Sequence, residues 1–220
     1  MSTTEPGGPT TTTDAAVAGR VTGLRTFPVK SLDGERLAAV QVLASGLEHD
    51  RAWAVVDAEG RVVTGKRAPA LREVRAEVAQ VPGDGPAVLL PGAEDLPVRG
   101  PSADVALSRL VGEQVHVRAA EGAGIGFNEV AAVHLVSRQS VAAASAGPAG
   151  DDACDVEEPR ANVVVDLGEG QDRETSWVGR EVQLGEAVLR VSQRPKNCLG
   201  VYAEVVRPGR VAVGDEVRLR

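Results

Sequence analysis

Cys198 lies in the run from Val191 to Gly214, VSQRPKNCLGVYAEVVRPGRVAVG, between two stretches that alternate like β-strands, with Arg194 and Lys196 just before it. Nearby cations favour the thiolate over the thiol, and a thiolate is both a soft metal ligand and a nucleophile. Three further places set a basic residue beside a turn or strand end: Lys30 with Ser31, Arg51, and Arg160. Arginine offers bidentate, charge-assisted hydrogen bonds and lysine a compact point charge, so with an adjacent hydroxyl these groups suit a phosphate or the polar edge of a heterocycle. Taken singly, an arginine at a strand end is an ordinary solvated side chain. The chemistry requires a fold that gathers these places around one cavity.

No other constellation carries comparable chemistry. His49, His116 and His134 are far apart in sequence and lack HExxH spacing, so they read as ordinary surface or core histidines. A Ser-His-Asp arrangement has no G-x-S-x-G elbow to support it. The run GAGIGF at 122–127 has the look of a dinucleotide fingerprint, but no buried strand precedes it and no helix follows; it reads as a glycine-rich turn. DDACDVEEPR at 151–160 reads as a solvated acidic loop. Cys154 within it reads as a free thiol, because two cysteines in a chain this long make no disulfide framework.

The elements that must position these groups are mostly strands. The apolar residues are chiefly Val, Leu and Ala, with only five aromatics, Phe27, Phe127, Trp53, Trp177 and Tyr202. Valine packs well on a pleated surface, so this composition favours sheet. Strand-like runs are expected at 21–28, 37–43, 51–56, 61–64 and 71–81, with a hairpin turn at 57–60, and their succession suggests an antiparallel sheet curling towards a barrel. The Pro- and Gly-rich stretch 82–101 is a plausible boundary. A short helix is expected over 102–111, capped by Ser102 and apolar at Val105, Leu107 and Leu110, and a second over 137–146. Further strands are expected at 115–117, 130–136 and 161–167, as a pair around the 184–186 turn, and over 209–219 about the turn at Gly214 and Asp215. The expected class is mostly β (α+β) with a few short helices. Residues 1–19, rich in Thr, Gly and Pro, are expected to be a disordered tail, followed by one region over 20–101 and another over 102–220.

Lys and Arg total 24 against 31 Asp and Glu, a formal charge of −7, which argues against a general nucleic-acid binder while leaving room for a small anion. No apolar run approaches the ~18 residues of a membrane span, and the N-terminus lacks the basic start and apolar stretch of a signal peptide. No membrane association and a cytoplasmic location are therefore expected.

Taken in order, these motifs resemble a known family. LRTFPVKSLDGERL at 24–37 and GLEHDRAWAVVDAEGRVVTGKRAPAL at 46–71 look like the N-terminal β-barrel region that precedes MOSC domains, named for the molybdenum cofactor sulfurase C-terminus. FNEVAAVHLVSRQSV at 127–141, PRANVVVDLG at 159–168, WVGREVQLGEAVLRV at 177–191 and GVYAEVVRPGRVAVGDEV at 200–217 look like the MOSC domain itself. The resemblance implies a MOSC-type β-barrel over 102–220 with an N-terminal β-barrel-like region over 20–101. Among family members the amidoxime-reducing component type is the nearest functional likeness. By that likeness PVKS implies that Lys30 and Ser31 contact molybdopterin, DRAW implies the same for Arg51, and PRAN for Arg160 and Asn162.

In that family a cysteine after the strand matching 187–191 gives its thiolate to molybdenum, and Cys198 stands at the corresponding spacing. The chain departs from the pattern just beyond it, where a segment that relatives carry before the GVYAEV-like strand is missing. Either Cys198 is the ligand and the loop after it is shortened, or the ligand segment is gone and Cys198 opens the later strand. The resemblance implies a molybdenum-molybdopterin oxidoreductase that reduces small N-hydroxylated or N-oxide compounds with electrons from a separate electron-transfer protein. A non-catalytic carrier of the cofactor or of sulfur is the alternative.

Overall fold

The computed structural model describes residues 16–78, 86–89, 96–98, 100–121, 126–127, 130–146, 160–196 and 198–220. Seven strands close into a barrel. Around it run Val163–Leu167, Val133–Ser137, Val201–Arg207, Ala187–Gln193, Glu181–Leu184, Glu216–Leu219 and Ala16–Thr26, and the last pairs back onto Val163–Leu167. Neighbours are antiparallel except Val133–Ser137 with Val163–Leu167, which run parallel. A parallel pair needs a crossover, and α2 (Arg138–Ser145) lies on that connection, packed against both strands.

Sequence alternation explains why these segments are strands. Val163–Leu167 and Glu181–Leu184 bury every second residue, as a sheet with one face in a core requires. The barrel is filled mainly by Val, Leu and Ala, with fully buried Trp177 beside them. Closure leaves the barrel no free edge along these strands.

The N-terminal strand begins inside the stretch expected to be disordered. Ala18 and Val21, each 1% exposed, enter the barrel core, and this burial outweighs the polar, Thr-rich composition around them. Residues 1–15 of the expected tail lie outside the described residues.

A second core gathers Val29, Leu32, Val55, Leu71, Val74, Leu107 and Val115, among others. Its strands form short sheets: Val115–Ala119 beside Trp53–Asp57 and Val29–Lys30, and Arg75–Val78 beside Pro86–Leu89 and Leu96–Pro97. A third small sheet joins Gly209–Ala212, Ala39–Leu43 and Gly46–Leu47, whose Val40, Val42 and Leu47 pack on the barrel core. The two cores therefore do not divide at residue 101. The first strand belongs to the barrel, and α1 (Pro101–Val111) with the strand after it belongs to the smaller core.

Several local expectations change, and the strand expected at 61–64 reduces to an isolated bridge of Val62 to Val56. Residues 71–73 belong to a 3-10 turn, Pro69–Glu73, Arg75–Val78 is strand, and residues 79–81 lie outside the described residues. The N-cap of α1 is Gly100 with Pro101 at the first turn, not Ser102, since proline's fixed φ suits that position. Val105 is 48% exposed while Leu107 is buried, because two positions along a helix are about 200° apart and cannot share a face. No described helix is long and apolar enough to cross a membrane.

Candidate functional site

Lys30, Arg51, Arg160, Asn162 and Cys198 line one cavity of about 260 Å³, together with Phe127, His134 and Tyr202. Elements of both cores contribute. Lys30 comes from the short strand Val29–Lys30, and Arg51 from the turn before Trp53–Asp57. Asn162 and Arg160 precede Val163–Leu167, His134 lies on Val133–Ser137, Cys198 lies three residues before Val201–Arg207, and Tyr202 is near the start of that strand.

The loop geometry is unusual at two of the sequence-derived positions. Ser31 and Arg51 adopt positive φ, 77° and 50°, a left-handed region that non-glycine residues visit at a cost. The turn at Arg51 is fixed by backbone bonds on both sides: its N–H donates to Phe27 O at 2.8 Å, and its carbonyl accepts from Phe127 N at 2.7 Å. Gly126 explains part of the glycine-rich run, because a Cβ there would stand 2.8 Å from Arg51 O. Ser31 does not line the cavity; its turn leads to Leu32, whose carbonyl accepts from Arg160 Nη2 at 2.6 Å.

Phe27 organises the cations. Its fully buried ring faces the guanidinium groups of Arg160 at 4.4 Å, Arg51 at 5.1 Å and Arg25 at 5.3 Å. Asp50 accepts from Arg51 Nη1 and from Phe27 N, and Asp33 pairs with Arg25 at 3.0 Å. Among the described residues no carboxylate forms an ion pair with Arg160. Burial, reinforced by the neighbouring Arg51 charge, pulls the Arg160 pKa down to about 10. An arginine so placed is suited to pairing with an anion.

Asn162, 1% exposed, stitches backbone rather than pointing free groups into the cavity. Its Oδ1 accepts from His134 N at 3.1 Å and its Nδ2 donates to Arg25 O at 3.3 Å. His134 is the residue that sequence reasoning passed over. Its Nε2 lies 2.7 Å from Leu199 O, tying the peptide after Cys198 to the barrel, and its ring packs on Tyr202 with centroids 5.0 Å apart. Burial lowers its pKa, and the backbone carbonyls of Leu199 and Arg160 oppose that shift. Only the pairing of His134 with Tyr202 across strands brings it here, and spacing along the chain carries no such signal.

Cys198 is disulfide-bonded, which corrects the expectation of free thiols. A metal ligand must be the thiolate, so ligation belongs to the reduced protein. The chain's other cysteine, Cys154, lies outside the described residues, as do residues 151–159 of the acidic segment and residues 122–125 of the glycine-rich run. Among the described residues no cluster of three or more His, Cys, Asp or Glu could hold a metal unaided. A metal here would depend on its cofactor for further ligands.

Fold and cavity together define a mostly-β protein with a closed seven-stranded barrel and a cationic pocket lined from both of its cores. The chain belongs to the family of the MOSC N-terminal beta barrel domain, whose sequence profile matches residues 18–138. It is thus a MOSC-domain protein, of a family related to molybdenum cofactor sulfurase and associated with the molybdenum cofactor. The crystal structure of the YUAD protein from Bacillus subtilis is similar at 14% identity and a TM-score of 0.45, covering 92% of this chain and 95% of that one. No curated protein matches.

Proposed function

We propose that the chain is a molybdenum-cofactor oxidoreductase that reduces small N-hydroxylated or N-oxide compounds to the parent nitrogen compound. The observation that carries the reading is one cavity lined by Lys30, Arg51, Arg160 and Cys198, in which Arg160 forms no ion pair among the described residues. The donor set fits the cofactor. Guanidinium and ammonium groups suit its phosphate and pterin edge, and a reduced Cys198 supplies an anionic sulfur beside them. When bound, the cofactor would supply two-electron oxygen-atom transfer.

The residues themselves bind and orient. Arg160, held on the Leu32 carbonyl, and Arg51, held by Asp50, present fixed forks to an anionic group. Lys30 adds charge from the opposite core, and Ser31 shapes the turn beside it. In the reaction the nitrogen–oxygen bond breaks; the substrate takes two electrons and two protons, and oxygen leaves as water. The electrons come from a separate electron-transfer protein.

The test is turnover of an N-oxide by protein produced in a cofactor-making host, kept reduced, and supplied with reduced methyl viologen. Turnover that falls with Arg160→Ala supports the reading, and cofactor retention without turnover of any N-hydroxylated substrate contradicts it. The second reading, a carrier of the cofactor or of sulfur, is favoured by the closeness of Cys198 to the strand beginning at Val201. It predicts retention that depends on Arg51 and Arg160 without catalysis, and a persulfide mass increment on Cys198 if sulfur is the cargo.

A further inference from the structure

Cys198 lines a second cavity of about 310 Å³, and it is the one described residue common to both. One wall is the small-residue face of α2, with Ser140, Ala143 and Ala144. The facing wall carries Arg173 and Thr175 at the 3-10 turn Glu174–Trp177 and Arg194 beyond the strand Ala187–Gln193.

Three features make this cavity a place for an anion. Arg194 is held: its Nε and Nη2 both donate to Thr175 O, at 3.1 and 2.8 Å, which leaves the rest of its five N–H donors for another partner. Neither Arg173 nor Arg194 forms an ion pair among the described residues, and no described lining residue is acidic. Of the two carboxylates flanking Arg173, Asp172 is exposed and does not line the cavity, and Glu174 is fully buried and accepts from the hydroxyls of Ser137 and Ser140, bracing the turn against α2. Two guanidinium groups at one mouth give a locally positive field in a chain whose net charge is −7. The alanines and Leu199 leave apolar space for a small ligand body.

We infer that this second cavity is a substrate subsite that takes the anionic group, a carboxylate in the simplest case, of a small N-hydroxylated or N-oxide compound whose nitrogen–oxygen end is directed towards Cys198, the residue that in its reduced form would hold the metal. The inference rests on the proposed oxidoreductase reading for the choice of substrate, while the anion preference itself is a property of Arg173 and Arg194. Both arginines are exposed, so replacing them leaves the barrel intact.

The experiment compares pyridine N-oxide with nicotinate N-oxide on the reduced, cofactor-loaded full chain, by calorimetric binding and by turnover with reduced methyl viologen. Nicotinate N-oxide is expected to bind about tenfold or more tightly, as one charge-assisted contact allows, and the double variant Arg173→Gln/Arg194→Gln is expected to bring the two ligands within about twofold at unchanged molybdenum content. Equal affinity in the wild type, absence of binding by either ligand, or a preference that survives the double variant overturns the subsite. Anion-selective binding with no turnover of either compound keeps the subsite and sinks the oxidoreductase reading. Equal binding with equal turnover does the reverse.

Discussion

Arg160 is the residue on which the proposed anion site turns. Its guanidinium sits over Phe27, donates to a backbone carbonyl and lacks an acidic partner among the described residues. A charge-assisted hydrogen bond to an anion is worth about 1.5–3 kcal/mol, so Arg160→Ala should weaken cofactor retention roughly 10- to 100-fold, measured as molybdenum and pterin released on dilution. Arg160→Lys should restore only part of this, because an ammonium group cannot reproduce the fork. Retention unchanged in Arg160→Ala would mean that the cofactor lies elsewhere. Cys198 makes a second prediction at this scale. Since it is disulfide-bonded, protein kept oxidised should take up no molybdenum, and treatment with a thiol reductant should restore uptake in the wild type but not in Cys198→Ser. Equal uptake before and after reduction would remove the sulfur from the metal's surroundings.

Between elements, His134 couples the loop carrying Cys198 to the barrel. Its Nε2 bond to Leu199 O and the exchange between His134 and Asn162 backbone and side chain join three neighbouring strands at the cavity. Gly200 shows how tight this junction is: φ is 86°, and a Cβ would lie 2.2 Å from Leu135 O. His134→Phe keeps the ring but loses the donor, and a net hydrogen bond is worth about 1 kcal/mol, so amide exchange at Leu199 and Val201 should rise about fivefold. His134→Gln, which retains an N–H, should stay near the wild-type rate; acceleration of both variants alike would assign the effect to packing. The basic positions that the structure gathers at one cavity were legible at this scale because each sits in a short motif with a turn beside it. The sequence did not disclose His134, Phe27 or Asp50 as site residues, because their roles come from strand pairing and loop closure between segments far apart in the chain. The resemblance implies that Ser31 contacts the cofactor; Ser31 does not line the cavity, and what the structure gives it is a left-handed turn, which residue type does not announce.

For the whole molecule, the strand pattern could be read locally while the order of strands could not. Val, Leu and Ala alternation marked most barrel strands, yet nothing local says that Ala16–Thr26 pairs with Val163–Leu167 and Glu216–Leu219 to close the barrel. The run 209–219 looked like one hairpin, but Gly209–Ala212 joins Ala39–Leu43 and Glu216–Leu219 joins the barrel. The smaller core has its own electrostatic brace. Asp57 accepts from Arg61 and Arg67, and the Arg67 hydrogen bond above all holds its carboxyl well below the usual carboxylate range. A carboxyl depressed by folding contributes stability above its unfolded pKa, about 3.9, and loses that contribution as pH falls towards its folded value. Thermal unfolding from pH 6 down to about pH 3 should therefore fall more steeply in the wild type than in Asp57→Asn; parallel curves would show that the brace is without effect.

Molybdenum and pterin content of the reduced full chain, purified from a host that makes the cofactor, tests the central claim most directly. Stoichiometric molybdenum and pterin in the wild type, with both lost in Arg51→Ala/Arg160→Ala and the metal lost in Cys198→Ser, is the predicted result. Wild-type protein that stays free of both, or retains them unchanged when Arg51 and Arg160 are replaced, would contradict it.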